Sequence, residues 1–156
     1  MIAAVLASWA CRRPDPQQVI DIAQLEAYWV IDTPVGNEQY IAPAVRLVLK
    51  NKGAAAAHAL EATAVFKRDG QDDAWGSDWR RVAPGGKPLA AGQDTLLVLK
   101  SDARYHSPAA PEAMFQHENW KDVRVEVFLR LGSSRWTKFG ELLVEKRIGA
   151  RAVEAP

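Results

Sequence analysis

Three histidines, His58, His106 and His117, and four aspartates, Asp69, Asp72, Asp73 and Asp78, are the side chains of this sequence best suited to chemistry. Imidazole nitrogens hold transition metals, yet no His-Glu-x-x-His, His-x-His or Cys/His spacing accompanies the three. His117 and Glu118 are adjacent, and neighbouring side chains on an extended chain diverge. The aspartates are oxygen ligands of the kind calcium takes, but their spacing is not that of a helix-loop-helix calcium loop, and Asp69 before Gly70 is ordinary turn chemistry. As an acid/base pair they would need an apolar cleft to split their pKa values, and "RDGQDDAWGSD" offers none. Ser77, Ser101, Ser107, Ser133 and Ser134 all fall in or beside turns, without a Gly-x-Ser-x-Gly motif. "APGGKP" lacks the strand and helix that would make it a phosphate loop. The expectation is a chain that is not an enzyme, with no cofactor and no metal.

The tryptophans stand out more. There are six in 156 residues, and Trp75, Trp79, Trp120 and Trp136 fall in or next to segments that read as loops. Tryptophan buries a large area and keeps a hydrogen-bond donor, which suits a binding surface as well as a core. Trp29 and Trp136 are expected to plug the sandwich interior, where alanine-rich strands leave room. For Trp75 and Trp79 core and contact roles stay open, and with Arg80 they form the candidate partner-binding group.

Composition bounds the rest. With 20 basic residues against 19 acidic ones there is no single-sign field to draw the chain onto nucleic acid or an anionic membrane surface. The only cysteine, Cys11, excludes an internal disulfide and a zinc site built from several thiolates. Before it lies the apolar run "MIAAVLASWA", and after it "RRPDPQQ" turns polar. That run is shorter than the roughly 20 residues a bilayer crossing needs, but it fits the apolar region of an export signal. Apolar run, Ala10 and Cys11 together resemble the lipobox of bacterial lipoproteins, although Ser8 and Trp9 depart from the motif and no Lys or Arg precedes the run. The resemblance implies a lipidated Cys11 in an exported, periplasmic, membrane-anchored protein, with residues 1–11 as signal and 12–18 as tether.

These residues must be positioned by strands. "VIDIAQLEAYWVID" is rich in β-branched and aromatic residues, and its apolar phase shifts between Ile22 and Leu25, which predicts a bulge or a move between sheets. "TPVGNEQ" reads as the next loop. Val45, Leu47 and Leu49 alternate with Arg46 and Lys50 as in a half-buried strand. Residues 54–58, with His58, read as a loop despite their alanines, because the run is too short for a stable helix and residues 59–68 alternate. A short edge strand is expected at Trp79–Val82. "TLLVLKS", apolar on both faces, suggests a central strand. "DARYHSPAAPEAMFQHENW" reads as an irregular crossing with a helical turn at Pro111–Gln116. Val123, Val125, Val127, Leu129 and Leu131 then alternate through a strand, "GSSR" turns, and Trp136–Ile148 returns as a hairpin. About seven strands without a long helix predict one all-β domain over 19–149, an antiparallel sandwich; residues 150–156 read as a tail.

"VRLVLKNKG", "HALEATAVFKRDG" and "KPLAAGQDTLLVLK" resemble the pattern of bacterial immunoglobulin-like and fibronectin-like modules, including FxLYD-type and water-stress-type domains. Over residues 40 to 100, a strand ends in Asn-x-Gly, a second ends in a turn, and a "PLAAGQ" turn leads into a third. The aromatic signature of those families is absent, so the resemblance implies architecture, an immunoglobulin-like sandwich, rather than chemistry. Together these readings predict a binding or scaffolding module of the bacterial cell envelope with an envelope protein as partner. The alternatives are a soluble periplasmic protein with an aromatic ligand pocket, and a structural subunit that assembles by its strand edges.

Overall fold

Alternation decides the architecture. In a computed structural model, which describes residues 15–82 and 87–149, β7 (Val123–Leu131) buries Val123, Val125, Val127, Leu129 and Leu131 and leaves the four residues between them half-buried. β3 (Leu60–Arg68) does the same with Leu60, Ala62, Ala64 and Phe66, and pairs antiparallel with β7, with Ala64 opposite Val127. β4 (Gly76–Arg81) and β8 (Thr137–Leu143) flank this pair, giving a sheet in the order β4-β3-β7-β8. The second sheet runs β5-β2-β1-β9, from β1 (Ile20–Val35), β2 (Glu38–Asn51), β5 (Asp94–Lys100) and β9 (Glu145–Ile148). The short β6 (Tyr105–Ser107) continues the line of β5 along the same side of β2. The molecule is an all-β sandwich. Val125, Val127 and Leu129 share one core with Leu47, Leu49, Phe66 and Trp29.

Several elements differ from the sequence expectation for physical reasons. Nine strands are present among the described residues. The return strand after the hairpin is divided at Val144, which is buried and donates its N–H to the Val123 carbonyl, so that β8 stays in one sheet while β9 joins the other, parallel to β1. Thr33–Val35 extend β1, and the turn is confined to Gly36 and Asn37, with Gly36 at φ +60. β4 begins at Gly76, earlier than the edge strand expected at Trp79. β5 lies at an edge rather than the centre: its inward Leu99 is buried, while Leu96 is 55% exposed. In β1 the register shift between Ile22 and Gln24 is the predicted bulge.

Residues 16–18, expected in an extended tether, belong to a short helix, α1 (Pro16–Val19). Asp15 caps it by accepting the Gln17 N–H, and the Gln17 amide reaches the Lys138 carbonyl on β8. Cys11 and the signal-like segment, and the tail from residue 150, lie outside the described residues.

Two polar devices lace the sandwich. Asn51, fully buried at the end of β2, donates to the carbonyls of Ala55 and Leu89 at 2.9 and 2.8 Å and accepts from Gly53 N–H at 2.9 Å. The asparagine of the Asn-x-Gly turn is therefore a clasp between two loops. At the other end, the edges of the two sheets meet: Asp78 on β4 accepts the Lys100 N–H at 3.0 Å, and Asp102 accepts the Ser77 N–H at 2.8 Å.

Candidate binding groove

The crossing between β5 and β7 joins a sheet only through β6, and the rest of it is irregular, with turns that bring its side chains together. Ser107 accepts the Ala109 N–H through its hydroxyl oxygen at 3.1 Å, and Pro111 opens a 3-10 helix (Pro111–Gln116) that buries Met114 and Phe115. His117 Nδ1 accepts the Asn119 N–H at 3.1 Å, turning the chain so that Trp120 enters the sandwich. Trp120 packs on Trp29, Tyr105 and Phe115 with ring centroids 4.8, 4.8 and 5.0 Å apart, and Tyr105 packs in turn on Trp75 at 4.9 Å. These tilted and edge-on contacts are the favoured aromatic geometries. Trp29 is wholly buried at the base of the stack, and its indole N–H finds no acceptor among the described residues.

Beside β6 the stack opens into a half-open groove of about 430 Å³. Tyr105, Trp120, Met114, Pro108, Ala109 and Ala113 make its apolar surface, and Glu38, His106, Ser107, His117 and Asn119 supply the polar groups. An apolar cleft of this size with a few polar groups is the usual form of a ligand site. His106 Nδ1 stands 3.3 Å from the Glu38 carboxylate, and its ring stacks on Tyr40 at 5.3 Å. Burial pushes the Tyr105 phenol above its ordinary pKa, so it stays protonated, with its hydroxyl 3.4 Å from the Lys121 carbonyl. Behind the groove, Trp120 Nε1 donates to Asp122 at 2.9 Å. The Lys146 ammonium, also 2.9 Å away, holds that carboxyl below the usual aspartate range, the Trp120 bond adding to it against a smaller opposing effect of burial.

The residues singled out from sequence divide. Trp75 packs against the core behind Tyr105, under the Arg68 guanidinium, without lining the groove. Trp79 and Arg80 lie on strand β4, within the expected edge strand: Trp79 pairs with Thr63 and is 49% exposed, and Arg80 pairs with Asp78 at 3.3 Å. The three do not form one surface. Trp136, expected inside, is exposed, with the Arg130 guanidinium 4.6 Å above its ring. His106 and His117 reach the groove, whereas His58 sits exposed in its loop. Among the described residues no three His, Cys, Asp or Glu side chains gather as a metal site would require. Sequence reasoning offered an aromatic pocket only as an alternative and named none of the groove's residues for it, although one signal was present: Tyr105, His106, Met114, Phe115, His117 and Trp120 crowd into one irregular segment.

No protein-family model matches the chain, and no curated protein matches it. Among solved structures it is similar to part of β-glucuronidase 2 of Bacteroides uniformis, at 18% identity and a TM-score of 0.45, over 76% of this chain and 12% of that one. It is also similar to a target of the Northeast Structural Genomics Consortium, at 5% identity and a TM-score of 0.47, over 91% of this chain and 96% of that one. A protein from Archaeoglobus fulgidus is similar at 11% identity and a TM-score of 0.41, over 80% and 98% of the two chains. The chain thus spans a small part of the β-glucuronidase, and likenesses this distant carry nothing about ligand or activity.

Proposed function

We propose that this protein is a non-catalytic binding module whose contact site is the groove beside β6. The observation that carries the reading is the coincidence of an aromatic surface from Tyr105 and Trp120 with a cleft of about 430 Å³ and a polar rim. An aromatic stack buried up to the edge of a cleft offers rigid area at little entropic cost to a bound apolar group. The test is a screen of small aromatic fragments by two-dimensional amide NMR, on the wild type and on Ala113→Trp, which fills the cleft from an exposed position. Binding should shift the resonances of residues 105–120 and be lost in the variant. Fragments that leave those resonances still, or bind the variant equally, would sink the reading.

The module is proposed to act in the bacterial cell envelope, with a protein partner there and a lipid anchor on Cys11. Support comes from sequence: the apolar run ending in Ala10-Cys11, and the turn pattern resembling immunoglobulin-like, FxLYD-type and water-stress-type modules. One acyl chain gives marginal anchoring, so a stable tether implies more than one. Palmitate supplied to cells should label the protein and leave Cys11→Ala unlabelled; a wild-type protein without label would remove the anchor from the proposal.

A further inference from the structure

The two histidines of the groove have their Nδ1 atoms already engaged, in opposite senses. His117 Nδ1 accepts the backbone N–H of Asn119, so the neutral ring carries its proton on Nε2. His106 Nδ1 faces the Glu38 carboxylate, which can only accept, so the neutral ring carries its proton on Nδ1 and presents Nε2 as an acceptor. Among the described residues of the groove, the neutral histidine rings thus leave one donor for a ligand, on His117, and one acceptor, on His106. Among the described residues no lysine or arginine lines the groove, and its one fixed charge is the Glu38 carboxylate, so a phosphate or free carboxylate would find no fixed counter-charge. A neutral group that offers both a carbonyl and an N–H, next to an apolar ring for the Tyr105 and Trp120 surface, fits all three features.

The position of β6 narrows that group further. Among the described residues β6 pairs only with β2, so one side of its backbone is a strand edge, and the groove is lined by β6's own three residues. An unpaired strand edge beside a side-chain pocket is how extended peptides are bound: the main chain supplies hydrogen bonds and the pocket selects a side chain. Three residues of strand extend about 10 Å, which matches one residue with the peptide units on either side of it.

Resting on the groove as the contact site, we infer that its ligand is an extended, uncharged peptide segment presenting an aromatic side chain, its peptide unit bridging His117 Nε2–H and His106 Nε2. The partner is then recognised by a short linear stretch rather than by a folded surface.

The experiment compares N-acetyl-phenylalanine N-methylamide with ethylbenzene, the same ring without peptide units, by amide NMR titration of the wild type, His106→Phe and His117→Phe. The phenylalanine variants keep ring area and remove both nitrogens. In the wild type the blocked amino acid should bind about tenfold tighter than ethylbenzene, and each variant should lose most of that preference while still binding ethylbenzene. Nitrogen-15 spectra of the imidazoles, which need no variant, should find the His117 proton on Nε2 and the His106 proton on Nδ1. Equal affinity for the two probes, or the reverse tautomers, overturns the peptide inference and leaves the groove a binding site. Failure of both probes to shift residues 105–120 removes the groove itself.

Discussion

At the scale of single residues, stability rests on polar groups that burial has left with one workable partner set. Asn51 donates twice, to Ala55 and Leu89, and accepts once, from Gly53, so that amide and carbonyl are both needed. Asn51→Ala strands two carbonyls and should cost about 1–3 kcal/mol in denaturant unfolding. Asn51→Asp should cost more at neutral pH, since a carboxylate would replace the donor facing those two carbonyls; equal costs would show that the amide does not hold the loops. Asp122 makes a different, pH-dependent case. Its pKa is lowered in the folded protein, chiefly by Lys146, so its contribution is present above the ordinary aspartate pKa of about 3.9 and is lost as pH falls through the lower folded value. Acid titration should therefore loosen Trp120 below about pH 4, visible in near-ultraviolet dichroism, and Asp122→Asn should flatten that part of the profile. An unchanged profile would assign the acid response to other carboxylates, Glu126 first among them, whose pKa is lowered by Lys138 and Lys67.

Elements were legible in proportion to how one-sided their burial is. β3 and β7 face the core on one side and solvent on the other, so period-two alternation named their inward residues directly. Val127→Ala should accordingly cost about 1–3 kcal/mol, and a wild-type melting temperature would contradict the face assignment. β5 misled because its apolar residues serve two clusters. Leu97 and Leu99 belong to the interior, but Val98 packs on the outer side of its sheet with Tyr28, Val30, Ala42 and Ala44. Two-faced apolarity therefore did not mean a central strand. Trp75 and Trp79, indistinguishable in sequence, now separate. Trp75→Ala should cost about 2–4 kcal/mol, less than a fully buried tryptophan would, whereas Trp79→Ala, at an exposed side chain, should stay within about 0.5 kcal/mol. Equal effects of the two substitutions would contradict the burial difference between them.

Across the whole molecule, what remained illegible were the long-range contacts that set the sheet order and join the sheet edges, because they pair segments far apart in sequence that carry no shared periodicity. The parallel pairing of β9 with β1 and the meeting of β4 with the end of β5 are of this kind, and the groove depends on the same level of organisation. Its surface is drawn from a crossing whose end, at Trp120, is fixed by packing on Trp29 of the opposite strand system. The β4–β5 meeting offers a test, because it leaves no room at Gly76. A Cβ there would stand 2.1 Å from Ser101 Oγ and 2.8 Å from the Ala103 Cβ, and Ser101 is itself buried and hydrogen-bonded to the Ala103 N–H. Gly76→Ala must push the two edges apart, straining the Asp78 to Lys100 and Asp102 to Ser77 bonds, at a cost of about 1–3 kcal/mol. Gly76 directly follows Trp75, which packs on Tyr105, so the displacement should reach the groove as well as the melting temperature. Ser77→Ala controls for surface change, since its contacts in the lacing use only backbone atoms. If Gly76→Ala melts like the wild type and its residues 105–120 keep their amide shifts, the two edges are not closely packed. If it melts lower but those shifts are unmoved, the groove is positioned by the Trp29 stack alone.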